Sequence, residues 1–237
     1  ISVKGVAFDY GLQYRYDFEN NKSLGIGLTY SNSMSLNAQV GNFAYNFTGS
    51  VGRETPFDSL ATSGTRESSI QLPSEFGIGL TYGGIDPQIL NYSWAINMDF
   101  EFFNGSEFQN YDDSKPLSNS YRAQLGGYLI PRFAFKNLNR SSSYLTAVEY
   151  RLGGFYEKTP YTLGGTDIMN YGITFGLGLP VRQKSLGPGE VKVSTINTGI
   201  VLGRRGTTAN GLIEENYLNV YIGITLNDKW FIKYKYR

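Results

Sequence analysis

Arg122, Glu149 and Arg151 stand at alternate positions in two runs whose other alternate positions are mostly large and apolar, and Asp99 and Glu101 do the same in a third run. In an extended chain, alternate side chains share a face. These five, with Arg15 from a fourth run, therefore gather on one polar face turned inward. A guanidinium there could grip a carboxylate through two parallel hydrogen bonds, while nearby aromatic rings take an apolar ligand body. The competing reading, and the favoured one, is a lumenal network of mutually paired charges with no ligand. Asp9 and Asp17 beside Arg15, and Lys233 and Lys235 near the end of the chain, belong to the same face.

Other chemistry is limited by what the chain lacks. There is no histidine, so the usual general base and the commonest metal ligand are gone. There is no cysteine either, which removes disulfides and thiolate metal sites. A Ser–His pair for lipase or acyltransferase chemistry is out of reach. The expectation is a protein that is not an enzyme, with no cofactor and no metal. A net charge of +1 provides no electrostatic footprint for nucleic acid. Gly176-Leu177-Gly178 falls in a strand-like run and opens no helix, so it is no dinucleotide loop. Gly203-Arg204-Arg205-Gly206 could meet lipopolysaccharide phosphates or a partner, but such a pair is more often a solvated strand end.

The elements that must position these residues are strands. Gly 29, Tyr 19 and Phe 15 are high counts, and charged residues are only 17%, below the usual quarter. Period-two alternation dominates. Leu24-Gly25-Ile26-Gly27-Leu28-Thr29-Tyr30 is repeated almost residue for residue by Phe76-Gly77-Ile78-Gly79-Leu80-Thr81-Tyr82. Similar runs cover residues 6–14, 94–102, 121–129, 146–152, 171–179, 196–202, 218–224 and 230–236. The chain thus reads as about ten or eleven strands in a single all-β domain, 1–237. Turn signals stand at 19–22, 83–87, 137–141, 187–189 and 227–228, and two longer polar stretches, 52–69 and 104–119, read as loops. No stretch shows a capped helical period.

Alternation also describes a soluble sheet with one buried face. Three features favour a membrane. The polar face is rich in Gly, Thr, Asn and Ser, where a solvated face would carry dense Lys and Glu. Tyr and Trp punctuate the apolar face at Tyr14, Tyr16, Tyr30, Tyr82, Trp94, Trp230 and Tyr236, as amphipathic rings in an interfacial girdle do. Many candidate strands also run ten residues or more, the length needed to cross a bilayer at a tilt. The fold expected is an antiparallel transmembrane β-barrel, integral to a bacterial outer membrane and in contact with its lipid.

Several passages resemble the FadL-type family of outer-membrane transporters: Phe8-Asp9-Tyr10-Gly11-Leu12-Gln13-Tyr14, Leu72-Pro73-Ser74-Glu75-Phe76-Gly77, Tyr150-Arg151-Leu152-Gly153-Gly154-Phe155-Tyr156 and Tyr171-Gly172-Ile173-Thr174-Phe175-Gly176. The ending, Leu226-Asn227-Asp228-Lys229-Trp230-Phe231-Ile232, is similar to Bacteroidetes members. The resemblance covers the C-terminal part of that family. It implies a 14-stranded barrel whose first strands and N-terminal hatch are missing from this chain, and passive uptake of long-chain fatty acids or other hydrophobic compounds. A second reading is a non-transporting structural or accessory subunit of an outer-membrane assembly, with partner membrane proteins; a third is a general porin. If the C-terminus is periplasmic, strand alternation sets loop 104–119 on the periplasmic side, where turns are usually short.

Overall fold

Aromatic and β-branched residues at alternating positions suit a pleated ladder and not a helix. The computed structural model describes residues 1–50, 52–86, 91–131, 141–183 and 192–226. Within them run β1 (Ser2–Lys4), β2 (Asp9–Phe18), β3 (Lys22–Ser31), β4 (Met34–Thr48), β5 (Thr55–Leu72), β6 (Glu75–Asp86), β7 (Asn91–Phe103) and β8 (Ser120–Leu129). A short helix, α1 (Ser141–Ala147), precedes β9 (Glu149–Leu163), β10 (Thr166–Gln183), β11 (Lys192–Gly206) and β12 (Glu214–Thr225). The protein is all-β, as expected. No described helix is long and apolar enough to cross a membrane.

Nine of the ten alternating runs are strands of one antiparallel sheet, in the order β12-β11-β10-β9-β8-β7-β6-β3-β2. The tenth run, 230–236, lies outside the described residues, as do the turn signals at 187–189 and 227–228 and nearly all of that at 137–141. Chain order and sheet order agree except once: β3 pairs with β6, and the intervening hairpin β4–β5 joins β1 in a separate three-stranded sheet. Turn chemistry matches the hairpins. Gly164 and Gly165, at φ +56° and +76°, make the two-residue link between β9 and β10. Glu19, Asn20 and Asn21 link β2 to β3, with Asn21 at φ +56°.

Four sequence expectations need correction. The turn signal at 83–87 falls in β6 through Asp86, where Gly83 and Gly84 still pair with Ala95 and Trp94 of β7, and Pro87 lies outside the described residues. Most of 52–69 is not a loop but strand β5, paired along its length with β4. That ladder shifts register between Val40 and Asn42, Ala44 and Tyr45, and Asn46 and Phe47. Each extra residue flips the faces that follow, so no clean alternation survives in the sequence. The run from Thr146 starts in α1, and β9 begins only at Glu149. Val6 and Phe8 precede β2.

Among the described residues, extensive packing between strands is confined to hydrogen-bonded neighbours, so the large sheet is one layer thick. Its accessible surface, 17277 Å² for 26.4 kDa, far exceeds the roughly 10,600 Å² of a compact soluble monomer of that mass. Among the described residues the buried apolar set is only Ala38, Ala95, Val148 and Ile168.

Loop 104–119 is a loop as expected, and it ties the two sheets together. Gln109 exchanges both backbone hydrogen bonds with Gln71 of β5, at 2.8 and 3.2 Å. The Ser68 hydroxyl donates to the Tyr111 carbonyl at 2.6 Å. Toward the large sheet, the Ser118 amide donates to the Pro160 carbonyl of β9 at 2.8 Å. Glu107 fastens the base of this strap, accepting from the Ser74 amide at 3.0 Å and the Ser74 hydroxyl at 2.9 Å. Those bonds, the amide first, hold the Glu107 carboxyl below its usual 4.5. A depressed carboxyl contributes fully above its unfolded value and loses that contribution as pH falls through its lowered one. The strap is therefore expected to stay fastened from neutral pH down to the usual glutamate range and to loosen below it. Exchange of the Ser74 amide, corrected for its intrinsic rate, measures this. Glu107→Ala should show the fast exchange already at pH 7.

Candidate functional site

The large sheet presents two unlike faces. On one, Leu12, Leu125, Leu152, Ile173, Val220 and Ile222 are 60–76% exposed. Register partners trace an aromatic row across this face near one end of the strands: Tyr10, Tyr30, Phe76, Phe102 and Tyr121. The row continues through Tyr156 and Tyr171, whose rings follow at centroid spacings of 6.4 and 6.2 Å. A second row near the other end holds Tyr16, Phe18, Tyr82, Trp94 and Tyr150, with Tyr82 and Trp94 edge to face at 5.8 Å. Tyr14 sits between the rows, opposite Ile26; Trp230 and Tyr236 lie outside the described residues. Six residues separate Tyr10 from Tyr16 and eight separate Trp94 from Phe102, about 20–27 Å along a strand. Between the rows the face is mainly aliphatic, with Tyr14, Phe100 and Phe175 among the aliphatic side chains. Ala123, Gly127 and Gly154 floor an open apolar groove of about 1150 Å³ there, walled by Trp94, Leu129 and Phe175.

The opposite face is lined by glycine, threonine and asparagine, with the charges that sequence placed there. Arg15 of β2 pairs with Asp17 at 2.8 Å and also donates to Ser23 at 3.0 Å. With side chains 45% and 58% exposed, such a solvent-screened ion pair contributes little to stability. Arg151 and Glu149 of β9 pair at 2.7 Å. Arg122 of β8 stands in register between Glu101 of β7 and Glu157 of β9. Its guanidinium rides 5.6 Å above the Phe155 ring, and its Nε is buried without a hydrogen-bond partner among the described residues. Asp99 reaches across Gly79 on β6. Asp99, Glu101, Arg122, Glu149 and Arg151 thus occupy three adjacent strands, whereas β6 and β3 separate Arg15 from them.

Sequence reasoning missed the longest polar chain on this face. The Tyr217 hydroxyl of β12 donates to Asn170 Oδ1 of β10 at 2.9 Å, and Asn170 Nδ2 donates to Glu157 of β9 at 2.9 Å. To reach β10, Tyr217 crosses β11 at Gly203, and Tyr221 lies in the same way over Gly199. The signal was there, since Gly199 and Gly203 are four residues apart like the two tyrosines, but only strand order reveals that they interlock. Arg204 and Arg205 divide between the faces. Arg204 lies on the apolar side, opposite Tyr171, and is ion-paired to Glu214. The solvated strand-end reading suits it better than a free phosphate site.

A family model described as BamG matches residues 1–237, and the chain belongs to that family. No curated protein and no solved structure matches it. BamG membership associates the chain with the outer membrane. It also overturns the FadL-type resemblance. The passages that carried the likeness sit on or beside β2, β6, β9 and β10. Much of what they share with FadL-type proteins is the alternation of apolar residues with glycine that an outer-membrane strand requires. The fatty-acid ligand, the hatch and the 14-stranded count rested on that resemblance and fall with it.

The interlock is testable. A Cβ at Gly203 would collide with the Tyr217 ring, so Gly203→Val is expected to expel Tyr217, break its bond to Asn170 and cost about 1–3 kcal/mol. Denaturant titration of the protein refolded in detergent measures the loss. Adding Tyr217→Ala should restore part of it; a double variant as unstable as the sum of the singles would disprove the interlock.

Proposed function

We propose that this BamG-family chain is an integral, non-catalytic β-sheet subunit that serves as a structural or accessory part of an outer-membrane assembly, bound to partner membrane proteins. Family membership over residues 1–237 carries the reading. The geometry adds the manner of insertion. A one-layer sheet on which Leu12, Leu152 and Ile222 stand 66–76% exposed has no protein core to bury them, and hydrocarbon is the solvent that receives such a face. The two aromatic rows suit the two interfaces of a bilayer.

The small-residue face supports a scaffold role over a catalytic one. With no His and no Cys in the sequence, acid–base or nucleophilic work would fall to carboxylates and cations. Arg15 and Arg151 are committed to ion pairs, and Glu157 is committed to Asn170. Such commitments stiffen a sheet and leave little free for a substrate.

The test is native purification from outer membranes in mild detergent after an alkaline carbonate wash. The expected result is a chain that resists the wash and elutes in stoichiometric amount with a second outer-membrane protein. Release by carbonate would end the integral reading, and recovery of the chain alone would end the assembly reading.

A further inference from the structure

The apolar face of the large sheet carries three cations with described side chains, and they stand at opposite ends of it. Lys158 is opposite Tyr121, and Arg204 is opposite Tyr171, in the first aromatic row. Each has a carboxylate of its own there: Lys158 pairs with Asp167 at 2.7 Å, and Arg204 pairs with Glu214. Lys22 stands in the second row, in register between Phe18 and Gly84. Among the described residues it pairs with no carboxylate. Its neighbours are aromatic. The ammonium lies 6.0 Å from the centre of the Tyr82 ring, and Tyr82 meets Trp94 edge to face.

A glycine brings a second donor to the same place. Gly84 separates Lys22 from Trp94 in the register, and a Cβ on it would collide with the indole Nε1. The indole thus crosses over β6 toward Lys22. Its N–H donates to no acceptor among the described residues. On the other side of Trp94 opens the apolar groove floored by Ala123, Gly127 and Gly154. An ammonium and an N–H therefore meet where an apolar trough begins.

We propose that Lys22 and the Trp94 N–H hold the phosphate of one anionic phospholipid, with an acyl chain laid in the groove. The inference rests on the membrane-inserted reading above. An interfacial row of tyrosine and tryptophan lies at headgroup depth, where a lipid phosphate stands. Lysine binds phosphate as a point charge, and an apolar wall beside it strengthens the attraction by lowering the local dielectric. Charge sets the class of lipid. Asp167 and Glu214 neutralise the two cations of the first row, so that end offers nothing to an anion. Lys22 brings one positive charge, which one phosphodiester matches. Shape sets the rest. The small side chains of the floor leave a trough between Leu129 and Phe175, and a flexible hydrocarbon chain fills it with contacts that no bulky neighbour supplies.

The sequence holds two tryptophans, so Trp230→Phe makes Trp94 the single reporter in the full chain. Phosphatidylglycerol brominated near the ester end of its acyl chains quenches indole fluorescence on contact. Added to the purified chain in detergent, it is expected to quench saturably, at about one fifth the concentration needed by brominated phosphatidylcholine. Lys22→Gln should abolish that preference, Lys22→Arg should keep it, and Lys158→Gln should leave it unchanged. Equal quenching by both lipids overturns the inference, as does a preference that Lys158→Gln removes as fully as Lys22→Gln. Three other results overturn it too. Displacement by inorganic phosphate at the lipid's own concentration would leave a phosphate site without a chain. Displacement by lipopolysaccharide at a lower concentration would reject a phospholipid. A photoreactive residue at Ala123 that crosslinks to a protein in outer membranes would give the groove to a partner. A chain released by carbonate loses the insertion reading and this site together. A chain that resists carbonate and quenches equally with both lipids loses the site alone.

Discussion

Hydrogen bonding between neighbouring strands carries this molecule, because almost nothing else crosses from one element to the next. A single-layer sheet cannot bury its apolar side chains against a second layer, and only four apolar residues are buried among those described. In water such a sheet would lose most of the hydrophobic contribution that stabilises a soluble domain. In hydrocarbon the same ladder becomes strong, since an unpaired backbone group has no solvent to turn to. The length of the strands follows from this. Ten to eighteen residues in each strand of the large sheet, against five or six in ordinary sheets, make each ladder long enough for the bilayer crossing that the proposed insertion requires.

Legibility in the sequence followed the same constraint. Wherever two different solvents meet the two faces, period two is enforced at every residue, and nine runs could be read directly as the nine strands of the large sheet. β4 and β5 escaped because register shifts break their period. The start of β9 was misread for a different reason: Thr146 and Val148 continue the alternation by accident while α1 already holds Thr146. Short-range pairs were also legible, since Arg15 with Asp17 and Glu149 with Arg151 are neighbours at i and i+2 on one face. Tyr217, Asn170 and Glu157 were not, because their meeting depends on strand order and on Gly203 leaving room for the ring to pass. The family was misread for a related reason. Passages chosen for their fit to a membrane strand carry the constraint that all such strands obey, and little that separates one family from another.

Loop 104–119 and the β4–β5 hairpin are where the chain departs from a plain meander. Antiparallel order would let β3 turn straight into β6, which it meets along ten register pairs. Instead the chain leaves the sheet at Ser31, builds a separate three-stranded unit and returns at Glu75. Such an insertion would hinge freely at two short links. The strap removes that freedom by bonding to Gln71 and Ser68 on one side and to Pro160 on the other. Glu107 accomplishes this with a charge, and charged acceptors make the stronger hydrogen bonds. An element held so firmly outside the ladder is one whose position relative to the sheet matters.

Recognition between proteins inside a membrane cannot draw on the hydrophobic effect, because lipid tails are as apolar as the side chains they would be exchanged for. A chain inserted as proposed, with an apolar outer face, therefore gains selectivity from shape, where small residues let another surface come close, and from whatever projects beyond the lipid. Ala123, Gly127 and Gly154 interrupt an otherwise bulky wall, and the strapped hairpin leaves the sheet at Ser31 and Glu75, beside Tyr30 and Phe76 of the first aromatic row. The polar face has a different task. Its glycines admit the tyrosines of β12 and the carboxylates of neighbouring strands into the space that side chains would fill, which lets Tyr217 reach Asn170 and, through it, Glu157 across the sheet. Three surfaces with three separate duties are compatible with one layer of strands only because the pleat keeps alternate residues apart.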